Sequence, residues 1–387
     1  LPRRGLISGS PSLYRDRPEG DAVALASRRP LPLTSPAGVK APLAARLRVG
    51  LWAAAILALA LATAVAATIG VRDIGGALEA IGWRGLAALC LITAPTVALL
   101  GTAWFLLAAD EPLSRLPVFV WSRLIRDASS ELLPFSHLGG FFIGARAAIL
   151  KGVTPRTAFA TSVADVTAEL LAQLGFTALG LGLLVSRLGA GFSRSTLVGG
   201  VVAGLVLSAV VAAVFIGLQR RGGRFVERLA ERLLPGAAAS AGDLGQAIAA
   251  IYDRPVRIVL AVAVHFAAWV VSALGAWLAL RCAGVRIGPG SVLAIESLVA
   301  AARSAVVVAP MGLGVQEATY ALVGPIFGLG PEVALALSIV KRARDLVIGA
   351  PALMAWQAME GARVMGRRRW TRASAAPSVG PSAPAQG

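Results

Sequence analysis

Residues 157–185 read TAFATSVADVTAELLAQLGFTALGLGLLV. The run is long and apolar enough to cross a bilayer core of about 30 Å, yet it carries Asp165 and Glu169. Residues four apart share a helix face, and Ser162 and Gln173 lie near that face. A charged group at membrane depth costs at least about 2.5–3.5 kcal/mol. The face must therefore turn inward, toward other helices or a polar cavity. The chain reads as a bundle of membrane helices with a charged interior.

Composition supports this outward from the stretch. Of 387 residues, 57% are hydrophobic and 15% charged, and the mean hydropathy is +0.74. Soluble domains carry about 25% charged residues, so an ordinary cytoplasmic enzyme, a disordered chain and a disulfide scaffold are excluded. The net charge of +17 reads as topology and not as nucleic-acid binding, because the basic clusters abut apolar spans. Cys90 and Cys282 stand far apart without histidine neighbours, so no metal site is expected. No cofactor motif is present.

Six spans follow: Val49–Gly70, Leu86–Ala109 with a bend expected at Pro95, Thr157–Val185, Thr196–Leu218, Val256–Leu280 with His265 inside, and Val333–Trp356. Two stretches, Pro112–Leu150 and Ile287–Gly330, are apolar but broken by Gly, Pro and charge. They read as re-entrant segments, where irregular backbone reaches membrane depth shielded by protein. Residues 1–48 are expected to be a disordered cytoplasmic tail, residues 49–358 the transmembrane domain, and residues 359–387 a basic, disordered cytoplasmic tail. Basic residues flank the first span (Lys40, Arg46, Arg48), fill the segment with Arg220, Arg221, Arg224, Arg228 and Arg232, and recur at Arg363, Arg367, Arg368, Arg369 and Arg372. Both termini are therefore placed in the cytoplasm.

Shifting the chain by 176 positions superimposes the interrupted stretches and the spans after them. Pro134 falls on Pro310, Gly152 on Gly328, Pro155 on Pro331, Ser162 on Ser338, Asp165 on Lys341 and Glu169 on Asp345. Each unit is two spans, a re-entrant region and one span. Three crossings are odd, so the second unit is inverted, the architecture of many secondary transporters. The expected fold is all-α: a multi-pass helical membrane protein of about six transmembrane helices with two re-entrant segments in an inverted repeat.

Candidate site residues come from both repeats. Asp165 and Glu169 in the third span, and Lys341, Arg342, Arg344 and Asp345 in the sixth, sum to zero charge. The two spans are expected to pack through these faces and pair their charges, as a structural lock or as a gate or headgroup site. The re-entrant tips are expected at Pro134, Gly139 and Gly140 and at Pro310, Gly312 and Gly314. There the backbone turns, and a following helix directs its N–H groups at an anion. Arg146 or Arg303 would complete such a site, near Glu317. His137 and His265 read as lone structural imidazoles.

The run Pro310-Met-Gly-Leu-Gly-Val-Gln-Glu317, then Gly328-Leu-Gly-Pro331 and Ser338-Ile-Val-Lys-Arg-Ala-Arg-Asp345, resembles the flippase-like family named after the transmembrane region of lysylphosphatidylglycerol synthase. Leu133-Pro134 to Gly140, Arg146 and Gly152 fit as well. Within that family the chain is most similar to the hopanoid biosynthesis-associated membrane proteins. The resemblance implies a multi-pass bacterial inner-membrane protein that moves or handles lipids, hopanoids among them, beside lipid-biosynthesis proteins. The aminoacyl-transferring relatives carry a soluble catalytic domain after the last span, which is not found here, so a transporter is the expected class and an enzyme is not. Two readings compete with it: a membrane-embedded lipid-modifying enzyme using Glu131, His137 or Glu317, and a non-transporting scaffold. The family supplies no catalytic residue to carry over.

Overall fold

The structure, a computed structural model, describes residues 71–133, 136–188, 238–305 and 314–374, with Ala213 and Gly217 besides. The chain divides into two units, Leu1–Arg48 and Val49–Gly387, and the described residues belong to the second. Among them are nine α-helices and no strand: α1 Val71–Leu107, α2 Leu116–Leu132, α3 Ser136–Leu150, α4 Pro155–Leu188, α5 Ala238–Tyr252, α6 Pro255–Cys282, α7 Pro289–Ala305, α8 Val315–Val323 and α9 Pro331–Ser374. The chain is a helical membrane protein, all-α among the described residues.

Three described helical stretches are long and apolar enough to cross a membrane: Gly75–Leu107, Pro155–Arg187 and Pro255–Cys282. They coincide with the second, third and fifth expected spans. The first and fourth lie outside the described residues. The sixth is part of α9, whose charges keep it below that apolarity. In α1 the helical dihedrals break at Gly82, with φ 51°, a value natural to glycine. The helix continues through Pro95, so the break falls nearer the N-terminus than the proline suggests. α9 runs on to Ser374, so residues 359–374 of the expected disordered tail are helical.

Each interrupted stretch holds two described helices. α2 and α3 pack on each other, as do α7 and α8. The turns that follow match at the offset of 176. Gly152 and Gly328 have φ of 95° and 84°, which makes each a left-handed helix stop. The Val153 N–H donates to the Ala148 carbonyl at 3.2 Å, and the Leu329 N–H donates to the Gly324 carbonyl at 2.9 Å. The next helices then start on Pro155 and Pro331, where a missing N–H costs nothing.

Helix pairing follows the same correspondence. α4 packs on α6 and α7, while α9 packs on α1 and α2. The extensive α1–α6 contact lies between the two sets. Small residues allow that approach: Gly275 of α6 leaves room for the Ile92 side chain. Leu89, Ala276, Ala279 and Leu280 are buried there with Ile295, Val299 and Leu337.

Candidate functional site

Arg123 and Arg126 lie one helical turn apart on α2 and reach to α4. Arg123 donates to Asp165 Oδ2 at 3.1 Å and to Glu169 at 2.6 and 3.1 Å. Arg126 donates to the same Asp165 oxygen at 2.6 Å and to Glu169 Oε2 at 2.8 Å. Within α2, Arg123 Nε lies 2.8 Å from Asp127. The other oxygen of Asp165 lies 2.9 Å from His265 Nε2 on α6. Asp165 and His265 are fully buried, and Arg123 is 3% exposed. Forked guanidinium groups suit two carboxylates at helical spacing, because each fork makes two hydrogen bonds in fixed geometry.

A second group forms around α9. Lys341 Nζ donates to Glu296 on α7 at 2.5 Å and to the Tyr320 hydroxyl on α8 at 2.9 Å. Tyr320 in turn donates to Glu296. Arg342 donates to Glu317 at 3.0 Å, as does Ser338. Arg344 pairs with its neighbour Asp345. Arg303 on α7 donates to both oxygens of Glu131 on α2, at 2.7 and 2.9 Å, and to Gln316 at 3.2 Å. Four cations and four carboxylates make up this second group, against two arginines and three carboxylates in the first.

Both groups face one cavity of about 510 Å³. Its charged side presents Arg123, Arg126, Asp127, Glu131 and Glu169 together with Glu296, Arg303, Lys341, Arg344 and Asp345. Its apolar side is built from α1 and α6, with Leu89, Ile92, Val97, Leu100, Ala268 and Trp269. These residues fall in the middle of the Gly75–Leu107 and Pro255–Cys282 stretches, so the cavity lies away from the ends of both helices. One cavity thus offers ionic hydrogen bonds on one wall and hydrocarbon on the other. No group of metal-ligating side chains occurs among the described residues.

The sequence expectations are met unevenly. Asp165, Glu169, Lys341, Arg344, Asp345 and Arg303 are brought to or beside one cavity. The expected pairing of Asp165 and Glu169 with Lys341, Arg342 or Arg344 is not formed. The reason is nearer partners: the α4 carboxylates meet Arg123 and Arg126 of the first interrupted stretch, while Lys341 and Arg342 of α9 meet Glu296 and Glu317 of the second. Arg146 is exposed and pairs with Glu360 at 2.6 Å, so it takes no part in the cavity. Gly139 and Gly140 are not in a turn. They lie inside α3, where a side chain on Gly140 would collide with Ser130 and the Arg126 carbonyl. Gly140 permits close helix approach, whereas Gly139 has open space around it.

Gly314 does turn, with φ 75°, and precedes α8. Its N–H, however, donates to Glu317 of the same helix at 2.8 Å, so this helix start is capped by its own carboxylate and not presented to an anion. Pro134, Pro310 and Gly312 lie outside the described residues, as does the His137 side chain. Arg123, Arg126 and Tyr320 are the functional candidates that sequence reasoning missed. The signal that could have found the arginines was a pair three apart beside Asp127, inside an apolar interrupted stretch.

Residues 50–352 match the family described as Lysylphosphatidylglycerol synthase TM region. No curated protein and no solved structure matches the chain.

Proposed function

The chain belongs to the Lysylphosphatidylglycerol synthase TM region family, and from that premise we propose that it is a flippase-like lipid transporter of the bacterial inner membrane. The lipid headgroup occupies the charged wall of the central cavity, and its hydrocarbon lies along α1 and α6. The amphipathic lining of that 510 Å³ cavity, away from the ends of the apolar helices α1 and α6, is the observation that carries this reading. A polar headgroup crossing the bilayer needs hydrogen-bonding partners where water is absent, and this wall supplies them.

The matching helix starts, matching left-handed glycines and exchanged packing support an inverted repeat. In such a repeat the two units rock about the α1–α6 contact and expose the cavity to each leaflet in turn. Hopanoids are the lipids suggested by the sequence resemblance, and phospholipids suit the same wall. Both termini then face the cytoplasm. The enzyme reading is less favoured, because Glu131 and Glu317 are committed to Arg303 and to Gly314, Ser338 and Arg342, which leaves neither poised as a free acid or base.

Native mass spectrometry of the purified protein tests the assignment. A co-purifying lipid is expected, and it should be displaced in Ser272→Trp, which fills the cavity from α6. Identical lipid retention in that variant would place the lipid elsewhere, and the mass identifies hopanoid or phospholipid.

A further inference from the structure

His265 is the one titratable side chain of the first group with an open ring position. Its Nε2 lies 2.9 Å from Asp165, while Nδ1 is buried and has no hydrogen-bond partner. Imidazole and carboxylate are both fully buried. The second group balances four cations against four carboxylates, but the group containing His265 sets Arg123 and Arg126 against Asp127, Asp165 and Glu169. One positive charge is missing there. An unbalanced charge at membrane depth is costly, and an imidazolium beside Asp165 supplies what is missing.

Among the described residues the other surroundings offer no substitute. α1 carries no charged residue from Gly85 to Leu107. Asp243 of α5 is exposed. Glu296 and Arg303 of α7, and Lys341 of α9, are engaged in the second group.

We propose that His265 is the seventh cation of the cluster and that the His265–Asp165 pair binds and releases the proton that drives lipid movement. The second half of this proposal rests on the transport reading above. Arg123 and Arg126 link the pair to the cavity, because they line it and also bind Asp165. With the proton bound, the His265 group is neutral, and a lipid phosphate in the cavity can draw on the two guanidinium groups. When the rocking of the two units opens the buried pair to one side, the imidazolium gives its proton to water there, and one carboxylate charge is left in excess. That charge draws the arginines back and releases the phosphate. A proton taken up on one side thus travels with the lipid and leaves on the other.

The chain has two histidines, so His137→Gln leaves His265 as the single histidine. In ¹⁵N-histidine-labelled protein at neutral pH, both ring nitrogens of His265 should carry protons. A neutral imidazole would overturn the proposal whether or not lipid moves.

The second arm uses vesicles of phosphatidylglycerol and phosphatidylethanolamine holding a tail-labelled phosphatidylglycerol and an internal pH dye. An imposed pH gradient should accelerate lipid redistribution at least tenfold, with acidification of the lumen. His265→Gln should lose the acceleration. His265→Lys, which keeps the charge but holds its proton, should restore folded protein without restoring the acceleration. Equal gradient dependence in all three proteins overturns the coupling. If the unsubstituted protein moves no lipid at any pH while the imidazolium signal is present, the transport reading fails and the coupling with it. The spectrum distinguishes that result from a wrong charge assignment.

Discussion

Arg303 on α7 holds both carboxylate oxygens of Glu131 on α2, at 2.7 and 2.9 Å. α2 ends at Leu132 and α7 at Ala305, so this pair, in which Arg303 Nη2 bonds both oxygens, joins the two interrupted stretches near the C-terminal ends of these helices. It also lies on the cavity wall. Any motion that separates α2 from α7 must stretch or break it.

Substitution of either partner should therefore affect movement more than folding. Both side chains are 24% exposed, so Glu131→Ala or Arg303→Ala should cost about 1.5–3 kcal/mol, read as a fall in thermal stability. Lipid redistribution should change in the same variants. The exchange Glu131→Arg with Arg303→Glu should restore part of both. Simple additivity of the two alanine variants would mean that the pair is energetically idle.

The pairing between helices has a direct test in double-mutant cycles. Asp165 and Arg126 bond directly at 2.6 Å and should show coupling of about 1.5–3 kcal/mol, the worth of a hydrogen bond between charged groups, while Arg123, His265 and Glu169 stay with whichever partner is left. Asp165 and Lys341 belong to different groups and should be additive. Abundance and melting temperature in detergent report both cycles. Coupling of Asp165 to Lys341 equal to its coupling to Arg126 would contradict the arrangement.

Within the second group the cost should depend on what is left behind. Tyr320→Phe keeps the Lys341–Glu296 pair and removes hydrogen bonds worth about 1–1.5 kcal/mol. Lys341→Met removes the cation 2.5 Å from Glu296 and should cost about 3–5 kcal/mol. Glu296→Gln introduced with Lys341→Met should recover most of that loss in a thermal melt.

Two adjacent glycines separate packing from backbone freedom. Gly139→Ala meets no atom within 4 Å and should be neutral or stabilising by up to about 1 kcal/mol, as expected for alanine in a helix. Gly140→Ala pushes into Ser130 and the Arg126 carbonyl and should cost about 1–3 kcal/mol. It should also disturb Arg126, and with it the site. Equal melting temperatures for the two variants would contradict the α2–α3 packing.

The sequence made the helical class legible, since apolar runs of bilayer length have few other readings. It also made legible the offset of 176, through Gly152 and Gly328 and through Pro155 and Pro331, because left-handed glycines and first-turn prolines are local requirements. The partners of Asp165 were not legible. Spacing along a helix shows which residues share a face, but it does not show which helix faces them. Arg123 and Arg126 lie on the polar face of an amphipathic helix, Leu116–Leu132, and such a face ordinarily meets water, so the periodicity did not show that it meets Asp165 and Glu169. Gly140 misled for a related reason: a glycine that admits a neighbouring helix and one that turns the chain look alike in sequence.

Passage of a lipid through the amphipathic cavity can be read as lipid redistribution in reconstituted vesicles. Tail-labelled phosphatidylglycerol is placed in both leaflets, and a membrane-impermeant quencher is added outside. The account predicts that quenching goes beyond the outer leaflet when the protein is present and returns to the outer leaflet alone in Ser272→Trp at equal amounts of folded protein. Quenching confined to the outer leaflet with the unsubstituted protein, or unaffected by Ser272→Trp, would contradict it.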